Sequence, residues 1–208
     1  MEFFSVERDT RKLYDLQAES FLAYSGGADR STYWDYEMKE FVQMLGSDKS
    51  VLELGAGPAT DGKHLLHAGL RPISIDYSIG MLNLARQIGI SHSLAQMDMY
   101  DLGFPDNTFD SFWATACLLH LRQPERALQE IRRVSKPGAI GFVAVKEISD
   151  EDGLQHQVDP RTGYYFQYYE VSEFLKILEQ AGLPVSHYTV REGKNNHDWL
   201  TYFVAADK

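Results

Sequence analysis

The residues best suited to hold a ligand form a glycine-rich turn, in the segment VLELGAGPATDG at positions 51–62. An apolar, β-prone run leads into Gly55 and Gly57, and a segment of helical spacing follows. Glycine tolerates positive φ angles and lets a ligand approach the backbone, at the strand end where open α/β sheets bind ligands. Thr60 replaces the third glycine of a dinucleotide-binding pattern, and the absence of Gly-Lys-Ser/Thr excludes a Walker phosphate loop.

Two carboxylates indicate which ligand the turn could hold. Asp76 ends the next β-prone run, about 20 residues after the turn, a spacing that suits hydrogen bonds from both ribose hydroxyls. NAD and S-adenosylmethionine both contain such a ribose. Glu53 would repel a pyrophosphate but attract the ammonium and sulfonium of S-adenosylmethionine, so it favours the latter. The alternatives are an ion pair of Glu53 with Lys63, and a helix N-cap role for Asp76, for which Ser78 is better placed.

Polar side chains also follow the next two β-prone runs. The Asp98 carboxylate could accept a hydrogen bond from an adenine amino group, and Met99 offers a backbone N–H and apolar surface. A solvated loop acid is the alternative, and it fits Asp101 better than Asp98. His120 is the candidate general base because imidazole titrates near neutral pH, with local packing as its alternative role. Cys117 is expected to be a small buried hydrophobe.

The order of elements predicts the scaffold for these residues. Apolar runs alternate with segments of helical spacing, which predicts βαβ crossovers and a parallel sheet with helices on both faces. The polar stretch 191–198 is too short for a crossover helix, so the last two strands should be antiparallel neighbours. Helical segments 6–24 and 32–45 flank Gly26-Gly27, which predicts either a movable N-terminal cap or a packing helix with a flexible linker. The strand candidates are 50–54, 72–76, 91–96, 109–114, 139–146, 184–190 and 199–205.

Composition narrows the class of protein. The 208 residues are 44% hydrophobic and 24% charged, which predicts one soluble domain with a sizeable core. The net charge of −10 argues against nucleic acid or an anionic membrane as a partner. The single cysteine excludes a disulfide framework and fits a reducing compartment, and neither a secretory signal nor a membrane-spanning run is present, so we expect a cytoplasmic protein. His64 and His67 lie one helical turn apart without an evident third ligand, so no metal site is expected.

Four segments, in this order, resemble the class I S-adenosylmethionine-dependent methyltransferases: VLELGAGPATDG, ISIDYSIGMLNLAR, AQMDMYDLGFPDNTFDSFWATACLLHL and RALQEIRRVSKPGAIGFVAVKE. The segments LLHL and VSKPGAI are similar to the small-molecule branch of that family. The resemblance implies a Rossmann-like, doubly wound, seven-stranded, mostly parallel α/β sheet with an antiparallel last strand. It also implies one domain over residues 1–208, with an N-terminal helical cap (1–46), a cofactor-binding core (50–146) and an acceptor-side region (147–208).

The resemblance further implies which residues contact the cofactor, and it divides them by the part of the cofactor that they face. The residues at the methionine and ribose moieties would be Tyr14 (as a lid), Glu53, Gly55, Ala56, Gly57, Asp76, Ala114 and Thr115. The residues at the adenine would be Tyr77, Met81, Asp98 and Met99.

The sequence therefore predicts a methyltransferase that uses S-adenosylmethionine, acts on a small-molecule acceptor by in-line displacement, and is a monomer or homodimer. The aromatic run 164–169 is the candidate wall of an acceptor pocket, or a strand that packs alternate rings on the core. Tyr24 and Tyr33 could close over the methionine end. Two alternatives remain: an NAD-dependent reductase, although the third glycine and a Tyr-x-x-x-Lys pair are missing, and a non-catalytic S-adenosylmethionine-binding regulatory protein.

Overall fold

The computed structural model describes residues 5–25, 33–148, 155–193 and 197–207. The Gly26-Gly27 segment and the side chain of Tyr24 lie outside the described residues, so the hinge and that part of the lid remain predictions. The strands are β1 (Ser50–Leu54), β2 (Arg71–Asp76), β3 (Ser93–Gln96), β4 (Phe109–Thr115), β5 (Ser135–Lys146), β6 (His156–Val158), β7 (Tyr165–Gln167), β8 (Val185–Arg191) and β9 (Trp199–Ala205). The helices are α1 (Ser5–Ser25), α2 (Asp35–Leu45), α3 (Thr60–His67), α4 (Ile79–Gln87), α5 (Pro124–Val134) and α6 (Val171–Gln180), with a 3-10 turn at Leu118–His120.

One seven-stranded sheet forms the centre of the protein, in the order β3-β2-β1-β4-β5-β9-β8. The strands from β3 to β5 are parallel, whereas β9 runs antiparallel to both β5 and β8. The predicted mostly parallel sheet with an antiparallel last strand is confirmed, as is the antiparallel pairing of the last two strands. The strand order reverses between β1 and β4, which opens a crevice at the carboxyl edge of the sheet.

Helices cover both faces of this sheet because its central strands are apolar on both sides. On one face, Leu52 of β1 and Phe112 of β4 pack with the apolar stripe of α5. Neighbouring residues in a strand point to opposite faces of the sheet. On the other face, Val51 of β1 and Trp113 of β4 therefore pack with Phe41 of α2. The predicted two-sided helical layer is therefore confirmed. None of the described helices is long and apolar enough to cross a membrane.

Several boundaries differ from the predicted ones for local reasons. Strand β5 begins at Ser135, directly after α5, because Ser135 already pairs with Phe109 before the register shifts. Strands β6 and β7 were not predicted as a pair, and they form a separate antiparallel ribbon. Helix α4 begins as expected, since the hydroxyl of Ser78 caps it by accepting a hydrogen bond from the Met81 N–H.

Helix α1 lies over the carboxyl edge of the sheet and contacts two of its walls. Its Asp15 carboxylate accepts hydrogen bonds from Ser78 Oγ (2.6 Å) and from the Gly80 N–H (2.9 Å) at the start of α4. Its Thr10 hydroxyl accepts a hydrogen bond from the Tyr165 N–H (3.0 Å) of the β6–β7 ribbon. Helix α1 is therefore anchored to both the α4 side and the ribbon side.

A steric contact between β4 and β5 predicts a stability difference between two glycine variants. A Cβ atom at Gly141 of β5 would overlap the ring of Phe112, which is fully buried. We expect Gly141→Ala to lower the free energy of unfolding by about 1–3 kcal/mol, as overpacking of a core does. Gly103→Ala is the matched control, because its Cβ would meet only the flexible end of Met97 at 3.6 Å. Urea unfolding of both variants measures the difference, and equal losses would contradict the packing argument.

Candidate active site

A cavity of about 870 Å³ opens at the carboxyl edge of the parallel strands. It is lined by the glycine turn after β1, the end of β2, the segments after β3 and β4, helix α1 and the β6–β7 ribbon. Its position is the one at which open α/β sheets bind ligands, and its size falls within the ~300–1,000 Å³ of small-molecule sites.

The glycine turn has the backbone conformation that its composition predicts. Gly55 has φ 59° and Gly57 has φ 54°, in the region that L side chains rarely adopt. A Cβ atom at Gly55 would overlap the side chain of Cys117, which is buried as expected, whereas a Cβ at Gly57 would meet open space. Gly55 is therefore required by the packing of the turn on the segment after β4, and Gly57 leaves the backbone open to a ligand.

The carboxylate of Asp76 fixes the turn to the end of β2. It accepts hydrogen bonds from the Gly57 N–H and the Ser78 N–H, each at 2.7 Å. Burial raises the pKa of Asp76 to about 6, against the lowering effect of these two bonds. Each carboxylate oxygen can accept a further hydrogen bond, so the group can still bind a pair of hydroxyls.

A pair of buried carboxylates, Glu53 and Asp61, lies behind the turn. Glu53 accepts hydrogen bonds from the Gly62 N–H (3.0 Å) and from the hydroxyl of Ser74. Asp61 accepts from Trp113 Nε1 (2.9 Å) and Thr115 Oγ1 (3.1 Å). Burial, and after it the charge of Asp61, raise the pKa of Glu53 to about 8. Two adjacent buried acids of this kind stabilise a cation beside them and repel a phosphate.

The contacts of Glu53 and Asp61 exclude one alternative from the sequence analysis and add a residue to the site. The alternative ion pair of Glu53 with Lys63 does not form, because Lys63 is exposed and the Glu53 carboxylate is bound by Gly62 and Ser74. Asp61 was not predicted as a site residue, although it lines the cavity. Its only signal in the sequence was its place in the first turn of the helix after the glycines.

The residues predicted to face an adenine line another part of the cavity. Tyr77 is 37% exposed, and the guanidinium of Arg11 lies 4.7 Å from its ring centre. Met81 is almost fully buried, and the Asp98 carboxylate accepts a hydrogen bond from the Tyr100 N–H (2.9 Å). Their predicted contacts with adenine stay predictions.

Most of the predicted site residues meet at this cavity. Those that line it are Tyr14, Glu53, Gly55, Ala56, Gly57, Asp76, Tyr77, Met81, Asp98, Met99, Thr115 and His120. Ala114 does not, because β4 continues to Thr115 and Ala114 is still buried inside the sheet. Tyr33 does not line the cavity either, but its ring packs against Trp34 and Trp199, which do.

His120 is held between α1 and the β6–β7 ribbon. Its Nδ1 lies 2.7 Å from the Tyr165 carbonyl oxygen, which can only accept, so Nδ1 carries the proton. Its Nε2 then accepts a hydrogen bond from the Tyr14 hydroxyl at 3.0 Å. Burial lowers the pKa of His120 to about 4, although the bond to Tyr165 opposes this, so the imidazole is neutral at neutral pH.

The remaining wall is aromatic and carries one lysine. Tyr164 and Phe166 of the aromatic run line the cavity, whereas the buried Tyr165, Tyr168 and Tyr169 do not, so the run both forms a pocket wall and packs on the core. Lys146, at the end of β5, was missed because nothing in its sequence neighbourhood marks it. Among the described residues, no group of three His, Cys, Asp or Glu side chains is arranged to hold a metal ion.

The raised pKa of Glu53 predicts how stability depends on pH. The folded protein keeps the Glu53 proton up to about pH 8, whereas an exposed glutamate releases it near pH 4.5. The folded state therefore binds more protons in this window, and the free energy of unfolding falls as pH rises, by at most about 1.4 kcal/mol per pH unit. Glu53→Gln keeps both hydrogen-bond partners and should lose this fall.

Urea unfolding of the protein without ligand, across that pH window, measures the effect. Glu19→Gln is the matched control, because Glu19 is exposed on α1 and should leave the pH dependence as in the original protein. A Glu53→Gln curve that runs parallel to that of the original protein would show that Glu53 does not carry the titration.

The sequence of this chain is similar to those of known methyltransferases. A family described as "Methyltransferase domain" matches residues 52–143. A demethylmenaquinone methyltransferase of Corynebacterium glutamicum is 30% identical over 182 residues, which cover 88% of this chain and 70% of that protein. Another, of Streptomyces avermitilis, is 32% identical over 148 residues, 71% of this chain, and the match spans only 61% of that protein.

Among solved structures, the [4+2]-cyclase SpnF superposes with a TM-score of 0.77 and 18% identity, covering 94% of each chain. This likeness concerns the fold alone. The match to the methyltransferase domain and the identity to the C. glutamicum protein agree with the predicted family. This chain belongs to the class I S-adenosylmethionine-dependent methyltransferases.

Proposed function

We propose that this protein transfers a methyl group from S-adenosylmethionine to a small-molecule acceptor. The observation that carries the proposal is the buried pair of Glu53 and Asp61 beside the glycine turn. An ammonium at this position would relieve the repulsion between the two acids, whereas the pyrophosphate of NAD would add to it. The pair therefore favours the sulfonium cofactor over the nicotinamide one.

The other lining residues fit the same cofactor. Gly57 leaves room against the backbone, and the free lone pairs of Asp76 suit two ribose hydroxyls. Asp98 lies where it could accept a hydrogen bond from an adenine amino group, with Met99 beside it. When bound, the cofactor supplies an activated methyl group, so the protein mainly has to align the acceptor and exclude water, which contributes about 7–11 kcal/mol.

His120 is the candidate proton acceptor on the opposite wall. Its lowered pKa makes it a weak base, but it also keeps Nε2 unprotonated throughout the neutral range. Tyr14 donates to that nitrogen, so a proton from an acceptor hydroxyl or ammonium would reach His120 through the Tyr14 oxygen or after Tyr14 moves aside. Tyr14 therefore controls access to His120 Nε2 in either route.

The acceptor is proposed to be a ring compound. Tyr164, Phe166 and Trp199 give the acceptor side of the cavity flat apolar walls. The names of the two relatives add demethylmenaquinone to the candidates. Residues 1–208 are proposed to work as one domain with cap, core and acceptor-side regions, as a monomer or homodimer in the cytoplasm.

Calorimetry tests the cofactor assignment directly. We expect the protein to bind S-adenosylmethionine and S-adenosylhomocysteine but not NADH. Asp76→Asn should weaken binding of both sulfur ligands at least about tenfold, because a hydrogen bond to a charged group contributes about 1.5–3 kcal/mol. Asp35→Asn is the matched control, since Asp35 is exposed on α2. Tight NADH binding without a response to the sulfur ligands would overturn the proposal.

The role of His120 is tested once the acceptor is identified. Incubating metabolite pools, with demethylmenaquinone among them, and searching for the mass gain of one methylene identifies the acceptor. If His120 takes the proton, His120→Ala should lower kcat by about 10²-fold or more, and Tyr14→Phe should change the pH profile of kcat. Unchanged turnover by His120→Ala would remove this residue from the mechanism.

A further inference from the structure

Lys146 places an ammonium group on the acceptor side of the cavity. It is the last residue of β5, and its Nζ lies 4.8 Å from the ring centre of Phe166 and 5.6 Å from that of Trp199. Both rings line the cavity, as does Lys146 itself. A cation between two ring faces is attracted by each ring, but its three N–H donors still favour oxygen acceptors.

No described residue neutralises this charge directly. Within the described ranges, Lys146 Nζ has no hydrogen-bond acceptor and no carboxylate within 4.0 Å, yet it is not sealed from the cavity. The charges of Asp159 and Arg161, which lie between β6 and β7, act on the Lys146 ammonium in opposite directions. These two already pair with each other, with Arg161 Nη2 3.1 Å from Asp159 Oδ2. Burial lowers the pKa of Lys146, as expected for a cation that lacks a close partner.

The ammonium also lies near the Tyr14–His120 pair. The ring centre of Phe166 lies 4.9 Å from that of His120 and 4.8 Å from Lys146 Nζ. The positive charge of Lys146 contributes to the lowered pKa of His120. A flat molecule beside Phe166 would therefore be in reach of both the Lys146 ammonium and the Tyr14–His120 pair.

We propose that Lys146 is an acceptor-binding residue that selects an aromatic acceptor with an anionic oxygen, a phenolate, and holds that oxygen in its charged form. The inference deepens the proposed function and rests on it, since it concerns the acceptor end of the same cavity. Charge is then divided along the cavity: the acids behind the glycine turn suit the cationic cofactor, and the lysine suits an anionic acceptor. The phenolate oxygen would replace the missing hydrogen-bond acceptor of Nζ.

The opposing interpretation is that Lys146 only joins Phe166 and Trp199 by cation–π contacts. The two interpretations differ in what a phenol does when it binds. A ligand-binding ammonium lowers the pKa of the bound phenol, because it stabilises the phenolate, whereas a purely structural contact leaves that pKa unchanged.

The probe is 4-nitrophenol, whose phenolate absorbs visible light, titrated against pH in the presence of excess protein. We expect the bound probe to ionise about one pH unit lower than the free probe, which corresponds to about tenfold tighter binding of the phenolate than of the phenol. Lys146→Met should abolish this shift and Lys146→Arg should retain most of it. Lys63→Met, which removes a positive charge from the exposed face of α3, should leave the shift unchanged.

Two further measurements separate the possible failures. Thermal melting shows whether Lys146→Met is folded, and Lys146→Gln is the second variant if it is not. Calorimetry with S-adenosylhomocysteine tests the cofactor site alone, and its failure would count against the proposed function rather than against Lys146. A shift that persists in the folded Lys146 variants, or a probe that does not bind the original protein, would overturn the proposal for Lys146.

Discussion

The hydrogen bonds of the Asp76 carboxylate hold together the parts of the fold that form the cavity. One oxygen accepts from the glycine turn after β1, and the other accepts from Ser78, which caps α4. Ser78 in turn donates to Asp15 of α1, whose backbone approaches α4 so closely that only a glycine fits at position 80. A single strand end therefore sets the positions of the turn, the following helix and the N-terminal cap.

This arrangement concentrates unfavourable charge where a ligand is expected. Burial, followed by the charges of Asp61 and Asp76, raises the pKa of Glu53, and burial, with a smaller effect from the charge of Asp15, raises the pKa of Asp76. A buried acid destabilises the fold relative to an apolar residue of similar size, whether it holds its proton at neutral pH, as Glu53 does, or is ionised, as Asp76 is. A site that is unfavourable when empty and favourable with a cation bound is the usual compromise between stability and binding. Three of the acidic residues behind the net charge of −10, Glu53, Asp61 and Asp76, thus line the cavity at this edge of the sheet, where they favour a cationic ligand.

The sequence predicted the sheet well because strand and helix periodicity are local signals. The alternating runs gave the strand set, and the short polar link 191–198 gave the antiparallel pair β8 and β9. Ala114, which was predicted to contact the cofactor, does not line the cavity, because β4 ends one residue later than predicted. Asp61 and Lys146 could not be identified, since their roles depend on contacts with strands and loops far away in the chain.

The hydrogen-bond partners of His120 could not be predicted from the sequence either. The donor to its Nε2 comes from α1 and the acceptor of its Nδ1 proton comes from the ribbon, which lie on either side of it in the chain.

The β6–β7 ribbon is structurally separate from the sheet whose edge forms another part of the cavity. Among the described residues, its two strands pair only with each other, outside the seven-stranded sheet, and the ribbon lies beyond residues 52–143, which match the methyltransferase domain. Substitutions in the ribbon can therefore reshape one wall of the cavity without changing the register of the sheet or the glycine turn. The wall that the ribbon contributes is thus structurally separable from the part of the cavity that the matched segment forms.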